Sequence, residues 1–374
     1  MKVFLVCNYF MTPGSDKPEI GGIHTYIENL LVCMDALGYP VDLFQYSSVP
    51  FEKQLGASCR VIGFVPGKNR NDLRPLVKQA EASADLQHDL LLFSTSLMIC
   101  RHHFHNSVAI QHGISWDVTT VHGLSPRFPF DQPLRSIQAR VLIRQHRRIS
   151  RMICVDYNYV NWLRSQTVDR TLCYRVIPNF AEPMPPRTER NESGLIRLLF
   201  ARRFEKIRGV ELLYTLLPRL LNRYPQLTVT LAGGGSMESD LRQRFSNEPR
   251  ITFTVYDAKQ SVQFHRDYDL AIIPTIGSEG TSLSLLEAMA AGCAVVCSDV
   301  GGMTNIILDG YNGRIVAPDA AAFEQAICEL IDDPAARLAM AERGRQTAAA
   351  AFSLERWQKQ WRAVLEEFAA GEGG

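Results

Sequence analysis

The 374-residue chain lacks an apolar run long enough to cross a bilayer, which takes about 20 consecutive apolar residues, so no membrane-spanning helix is expected. Its opening, Met1–Phe10, carries one basic residue and too short an apolar run for a secretory leader. Charge of one sign is also lacking. A net charge of +1 gives no global field toward nucleic acid, and no nucleic-acid partner is expected. The nine cysteines are odd in number and scattered, which excludes a compact disulfide framework. Cys7, Cys154, Cys293 and Cys297 sit in apolar, strand-like runs, where cysteine behaves as a small hydrophobe. A reducing, cytoplasmic location follows as an expectation. Metal-ligand spacing is missing too. His102-His103-Phe104-His105 has no partner cluster, and Asp267-Tyr268-Asp269 runs straight into an apolar strand. No metal and no other cofactor is expected.

What is present is a globular composition, 46% hydrophobic and 21% charged, long enough for two domains. Lys2–Cys7 is a short apolar run suited to a buried parallel strand. A loop containing Pro13, Gly14 and Pro18 follows it. Gly21-Gly22 then opens a helical pattern, with Ile23, Tyr26, Ile27, Leu30, Leu31 and Met34 on one face and a stop at Gly38. Further strands are expected at Val41–Tyr46, Cys59–Val65, Leu90–Phe93, Val108–Gln111 and Met152–Val155. Helical stretches lie between most of them. Such alternation implies an α/β fold with parallel sheets.

Residues 178–194, with Pro178, Pro183, Pro185 and Pro186, read as a linker. The alternation then restarts. Strands are expected at Ile196–Ala201, Leu227–Leu231, Ile251–Thr254, Leu270–Ile273, Ala294–Cys297 and Gly313–Val316. Helices are expected at Gly209–Leu221, Met237–Phe245, Ser282–Ala291, Ala320–Ile331, Pro334–Ala350 and Ser353–Phe368. Between the strand ending at Ile273 and the helix at Leu283 lies a glycine-containing polar loop. A helix N-terminus after a parallel strand offers free N–H groups and positive dipole charge, a seat for phosphate. Glu279 and Glu287 flank the turn, and carboxylates accept paired sugar hydroxyls. A capped helix with two solvated acids would show the same local pattern.

The run Glu279-Gly-Thr-Ser-Leu-Ser-Leu-Leu-Glu287-Ala-Met-Ala-Ala-Gly292 resembles the E-x7-E signature of family 4 retaining glycosyltransferases, which have the GT-B architecture. The likeness continues through Val295-Val-Cys-Ser-Asp-Val-Gly-Gly-Met303 and Gly310-Tyr-Asn-Gly-Arg314. It implies an α/β GT-B fold of two Rossmann-like domains facing a cleft. Residues 1–180 would form the acceptor domain, with helix 353–370 packing back on it, and residues 190–352 the nucleotide-sugar donor domain. In the family the first acid meets the donor sugar, the loop amides hold the diphosphate and the second acid meets the ribose. These roles are carried to Glu279, to Gly280, Thr281, Ser282 and Leu283, and to Glu287. Ala201-Arg-Arg-Phe-Glu-Lys-Ile-Arg-Gly209 resembles the family's "G-R-L…K-G" element, whose cations neutralise the diphosphate. Aligned on Gly209, the pair is Arg203 and Arg208, with Lys206 nearby as an alternative to Arg208.

The resemblance further implies donor contacts at Gly22, in a glycine loop of the first half, and at Gly234 and Tyr256. It places His112, after the strand Val108–Gln111, beside the donor sugar, with Asp117 a second candidate. The expected reaction is retaining transfer of a hexose or deoxyhexose from a GDP-mannose-like or UDP-hexose donor. The acceptor is a glycan, lipid-linked, in polysaccharide or O-antigen (lipopolysaccharide) synthesis. Residues 134–152 interleave Arg135, Arg140, Arg144, Arg147, Arg148 and Arg151 with apolar residues, and this basic amphipathic stretch suits peripheral contact with the inner face of a membrane. Trp116 and Phe128-Pro-Phe130 are candidates for shaping acceptor recognition. A sugar-phosphate synthase or phosphorylase, and a non-catalytic nucleotide-sugar binder, remain as alternatives.

Overall fold

A computed structural model describes residues 1–15, 21–67, 69–114, 131–187, 194–277 and 279–371. Trp116, Asp117, the segment 128–130 and part of the linker lie outside the described residues, as do the side chains of 131–135. The chain divides into two compact units. Of the described residues, the first holds those up to His112, residues 131–178 and the C-terminal residues from Trp357, and the second holds Gly113, Ile114 and Asn179–Arg356.

The first unit is built on β1 (Val3–Val6), β2 (Val41–Tyr46), β3 (Phe51–Leu55), β4 (Cys59–Phe64), β5 (Leu90–Phe93), β6 (Asn106–Gln111), β7 (Arg151–Cys154) and β8 (Tyr174–Val176). Their order is β3-β4-β2-β1-β5-β6-β7-β8. The central strands β1, β2, β5 and β6 are buried throughout, which their near-continuous apolar runs anticipate. Around the sheet lie α1 (Gly22–Ala36), α2 (Arg74–Glu81), α3 (Asp131–His146) and α4 (Tyr157–Gln166). The sheet is not wholly parallel. Strand β3 runs antiparallel to β4, with Phe51 opposite Gly63. Its sequence Phe-Glu-Lys-Gln-Leu exposes Glu52 and Gln54, as an edge strand does to discourage pairing with other chains. Neither β3 nor the three-residue edge strand β8 carries an apolar run that announces it.

The second unit is wholly parallel. Its strands are β9 (Ile196–Ala201), β10 (Leu227–Ala232), β11 (Ile251–Thr254), β12 (Leu270–Ile273), β13 (Ala294–Ser298) and β14 (Arg314–Val316), in the order β11-β10-β9-β12-β13-β14. The helices are α5 (Val210–Arg223), α6 (Glu238–Arg244), α7 (Ser261–His265), α8 (Leu283–Ala290), α9 (Ala320–Asp332) and α10 (Pro334–Ala351). Leu213, Leu216, Leu217 and Leu220 of α5 pack with Phe323 and Ile327 of α9 over one face. Leu285, Leu286 and Met289 of α8 join Ala348 of α10 over the other. The chain steps outward from β9 to β10 and β11, then returns to β12 on the far side of β9. That reversal opens a crevice at the carboxyl ends of β9 and β12.

The last helix, α11 (Leu354–Ala369), buries Trp357, Trp361, Val364, Leu365 and Phe368, a stripe at helical spacing. In the first unit, Trp361 Nε1–H donates to Tyr26 Oη at 2.8 Å, and the Trp357 ring meets the Tyr26 ring edge-on at 5.0 Å. Glu367 accepts from both Arg151 and Arg175. All nine cysteines are free thiols. Among the described residues no helix is long and apolar enough to cross a membrane.

Candidate active site

The β12–α8 loop meets the β9–α5 loop at the crevice of the second unit. Glu279 Oε2 accepts from Arg202 Nη2 at 2.6 Å, from Thr275 Oγ1 at 3.1 Å and from Arg208 Nη1. Arg202 Nη1 also donates to Thr275 Oγ1 at 2.6 Å, so one arginine bridges the hydroxyl and the carboxylate. The side chains of Arg202, Glu279 and Arg208 are 5%, 11% and 29% exposed. Burial opposes ionisation of Glu279, but the two guanidinium charges outweigh it and hold its carboxyl below the ordinary range. Burial pulls the Arg202 guanidinium down, and the Glu279 charge works against that pull.

Backbone packing fixes this cluster. Gly209 ends the 3-10 turn Lys206–Arg208 at φ +81°, and a Cβ there would lie 1.8 Å from the Pro274 carbonyl oxygen. Ile276 N–H donates to Ile207 O at 3.0 Å, tying the two loops together. Behind the acid, Gly301 adopts φ +57°, and a Cβ would lie 2.0 Å from the Glu279 carbonyl oxygen. Gly302 N–H donates to that same oxygen at 2.9 Å. Only glycine fits where the left-handed backbone and the close approach coincide.

The expected basic pair is corrected by this geometry. Arg203 is not brought to Glu279; it is exposed and lies 3.5 Å from Glu205. Its neighbour Arg202, the first residue after β9, is the one that turns into the crevice. Successive side chains leaving an extended strand point to opposite sides, so a one-residue error in spacing selects the wrong face. Counting back from Gly209 gave no signal for that parity. Lys206 is also at the surface, 3.1 Å from Glu211, so Arg208 rather than Lys206 faces Glu279. Thr275 carries no sequence signal beyond its place in the loop.

Eight residues beyond Glu279, Glu287 lies on α8. Burial raises its carboxyl to about 7, while the nearby Ser261 hydroxyl and Arg202 charge pull the other way. Tyr256 stacks on Phe264 with ring centroids 4.5 Å apart, and burial with the Glu287 charge raises its phenol well above the ordinary value. Thr281 and Ser282 are buried at the start of α8, where Ser282, the N-cap residue, makes no side-chain cap to the first helical amides. Thr281 O accepts from Asn179 Nδ2 at 2.5 Å. Gly234 O accepts from Phe204 N–H at 2.9 Å beside the Arg202 loop.

Gly22 and His112 belong to the first unit. Gly22 begins α1 after an extended Gly21. His112 follows β6; its Nε2–H donates to Ser94 O at 2.9 Å, and its ring stands edge-on to Tyr26 at 5.1 Å. Burial lowers its pKa to about 4, with the Ser94 bond opposing. The imidazole is therefore neutral near pH 7, and its Nδ1 is an acceptor. Asp269 serves structure: its Oδ2 accepts from the Arg197 backbone at 2.9 Å. No group of three metal-ligating side chains occurs among the described residues.

Residues 20–183 match the family described as Glycosyltransferase Family 4, and residues 196–333 match Glycosyl transferases group 1. A Mycobacterium tuberculosis glycogen synthase is 31% identical over 196 residues, covering 51% of this chain and 46% of that protein. The chain thus spans about half the length of that relative. A Corynebacterium urealyticum D-inositol 3-phosphate glycosyltransferase is 26% identical, covering 91% of this chain and 89% of its own. Among solved structures, a Thermosynechococcus elongatus sucrose-phosphate synthase has the same fold, with TM-score 0.78, 19% identity and coverage of 99% and 100%.

Proposed function

We propose that this glycosyltransferase, whose two halves match the Glycosyltransferase Family 4 and Glycosyl transferases group 1 models, transfers a hexose or deoxyhexose from a nucleotide diphosphate sugar to a glycan hydroxyl. The observation that carries the reading is the Glu279–Arg202–Arg208–Thr275 cluster at the switch-point crevice, with the N-terminus of α8 beside it and Glu287 about one turn into that helix. In this reading the amides of Gly280–Leu283 and the two arginines take the diphosphate. Glu287 takes the ribose hydroxyls, and Tyr256 and the Gly234 loop flank the nucleoside. The donor is GDP-mannose-like or a UDP-hexose.

Departure of the nucleoside diphosphate puts charge on its phosphate oxygens. Fixed guanidinium groups and helix N–H donors stabilise that charge without reorganising. The mechanism is retaining: the acceptor hydroxyl passes its proton to a donor phosphate oxygen as the sugar–oxygen bond forms on the face the leaving group vacates. The protein supplies position and electrostatics. No metal enters the scheme, because the cationic side chains do the work of one.

The acceptor is a lipid-linked glycan, with O-antigen synthesis the process that fits. On α3, exposed Ile137 and Val141 alternate with exposed Arg140 and Arg144. Exposed Leu97, whose carbonyl accepts from Gln145 at 3.4 Å, extends the same patch. Apolar side chains ringed by arginine suit the anionic inner face of a membrane.

Thermal melting with UDP, GDP, ADP and their sugars, with and without magnesium, tests the donor site. A shift with one base, unchanged by magnesium and lost in Glu287→Ala, is expected. No shift with any nucleotide, together with no sugar transfer from any donor, overturns the reading.

A further inference from the structure

The Glu279 carboxylate and a donor diphosphate need the same guanidinium groups. Arg202 is nearly enclosed and holds both Thr275 and Glu279, which fixes it in place. Arg208 differs in three respects. It is the more exposed of the two, its side chain has Glu279 as its one hydrogen-bond partner among the described residues, and it stands at the end of a single 3-10 turn. All three donors converge on Oε2 of Glu279, and among the described residues Oε1 receives none.

Resting on the donor-site reading above, we infer that Arg208 is an exchanging residue, which passes from the Glu279 carboxylate to the diphosphate when a nucleoside diphosphate sugar binds. Arg202 stays as the anchor. A diphosphate carries more charge than one carboxylate and presents oxygens to the planar guanidinium fork, so it wins Arg208 once seated on the α8 amides. The exchange unloads Glu279: its Oε2 keeps Arg202 and Thr275, and the carboxylate is released to accept a hydroxyl of the sugar delivered with that diphosphate. Arrival of the leaving group and readiness of the acid thereby become one event. Arg208 changes partner when the diphosphate arrives, while Arg202 keeps its hold on Glu279 throughout.

The test uses UDP and GDP, which carry no sugar and cannot touch Glu279 through one. Calorimetry on the full chain compares wild type, Glu279→Gln, Arg208→Ala and the double variant. Glu279→Gln is expected to bind the preferred diphosphate about tenfold tighter, because a charge-assisted competitor for Arg208 is gone. In the Arg208→Ala background that gain is expected to vanish. A gain of equal size in both backgrounds would mean general charge repulsion and overturns the exchange. So does unchanged affinity in Glu279→Gln. Glu279→Gln leaves the buried Arg202 without its counter-charge, so a second measurement avoids it. In wild-type protein with isotope-labelled glutamate carboxyl carbons, UDP or GDP is expected to move the Glu279 NMR signal, and a stationary signal refutes the proposal. If wild type binds no nucleoside diphosphate, the donor-site reading itself has failed, an outcome separate from these.

Discussion

At the scale of single residues, the site turns on which side chain follows β9 into the crevice. Arg202→Ala is expected to lower kcat/KM by about 100- to 1000-fold, the usual loss for a fixed donor to transition-state charge. Arg203→Ala, at the surface beside Glu205, is expected to change it little. Steady-state kinetics on the two variants decides between the neighbours. Glu287 offers a pH signature. Burial raises its carboxyl from an ordinary 4.5 to about 7. Between those values the folded chain holds a proton that the unfolded chain has released. The group's contribution to stability is therefore complete below 4.5 and is lost as pH rises through 7. Glu287→Gln, which cannot ionise, is expected to melt above wild type at about pH 8, with the difference closing toward about pH 5. Melting curves across that range check the sign.

At the scale of elements, α11 is held to the first unit by a buried stripe with two tryptophans and by Glu367, paired with Arg151 and Arg175. Trp361→Ala removes a fully buried ring and its bond to Tyr26. A cost of about 3–5 kcal/mol is expected, read by urea unfolding of the full chain. The helix Ser353–Phe368 was legible, and the resemblance implied that it packs back on the first half. Its partner Tyr26 was not legible, because it lies far away in sequence. The β12–α8 loop shows the same division. Its glycine, acids and helix start are local and readable. The hold on Glu279 is not, since Gly209 and Gly301 come from other loops and matter only where those loops approach it.

At the scale of the whole molecule, a net charge of +1 makes any membrane affinity a matter of local patches. The paired change Arg140→Glu and Arg144→Glu is expected to abolish sedimentation with vesicles containing anionic lipid. Wild-type binding is expected to weaken as salt rises. Each arginine near an anionic surface contributes about 1 kcal/mol, so loss and reversal of two is a large effect. Vesicles of neutral lipid serve as the control.

The sequence by itself determined the alternation of strands and helices, two α/β units and the acid-flanked loop, because hydrophobic period and glycine placement are local properties of a chain. It also determined that Glu279 and Glu287 would sit around a helix start. Only the tertiary structure decided strand order, the antiparallel edge β3 and the choice of Arg202 over Arg203. Those depend on which face of an extended backbone meets a loop some seventy residues away, as in the bond from Arg202 to Glu279 (|i−j| = 77). Spacing counted along the chain carries no information on that meeting, since a shift of one residue reverses the face.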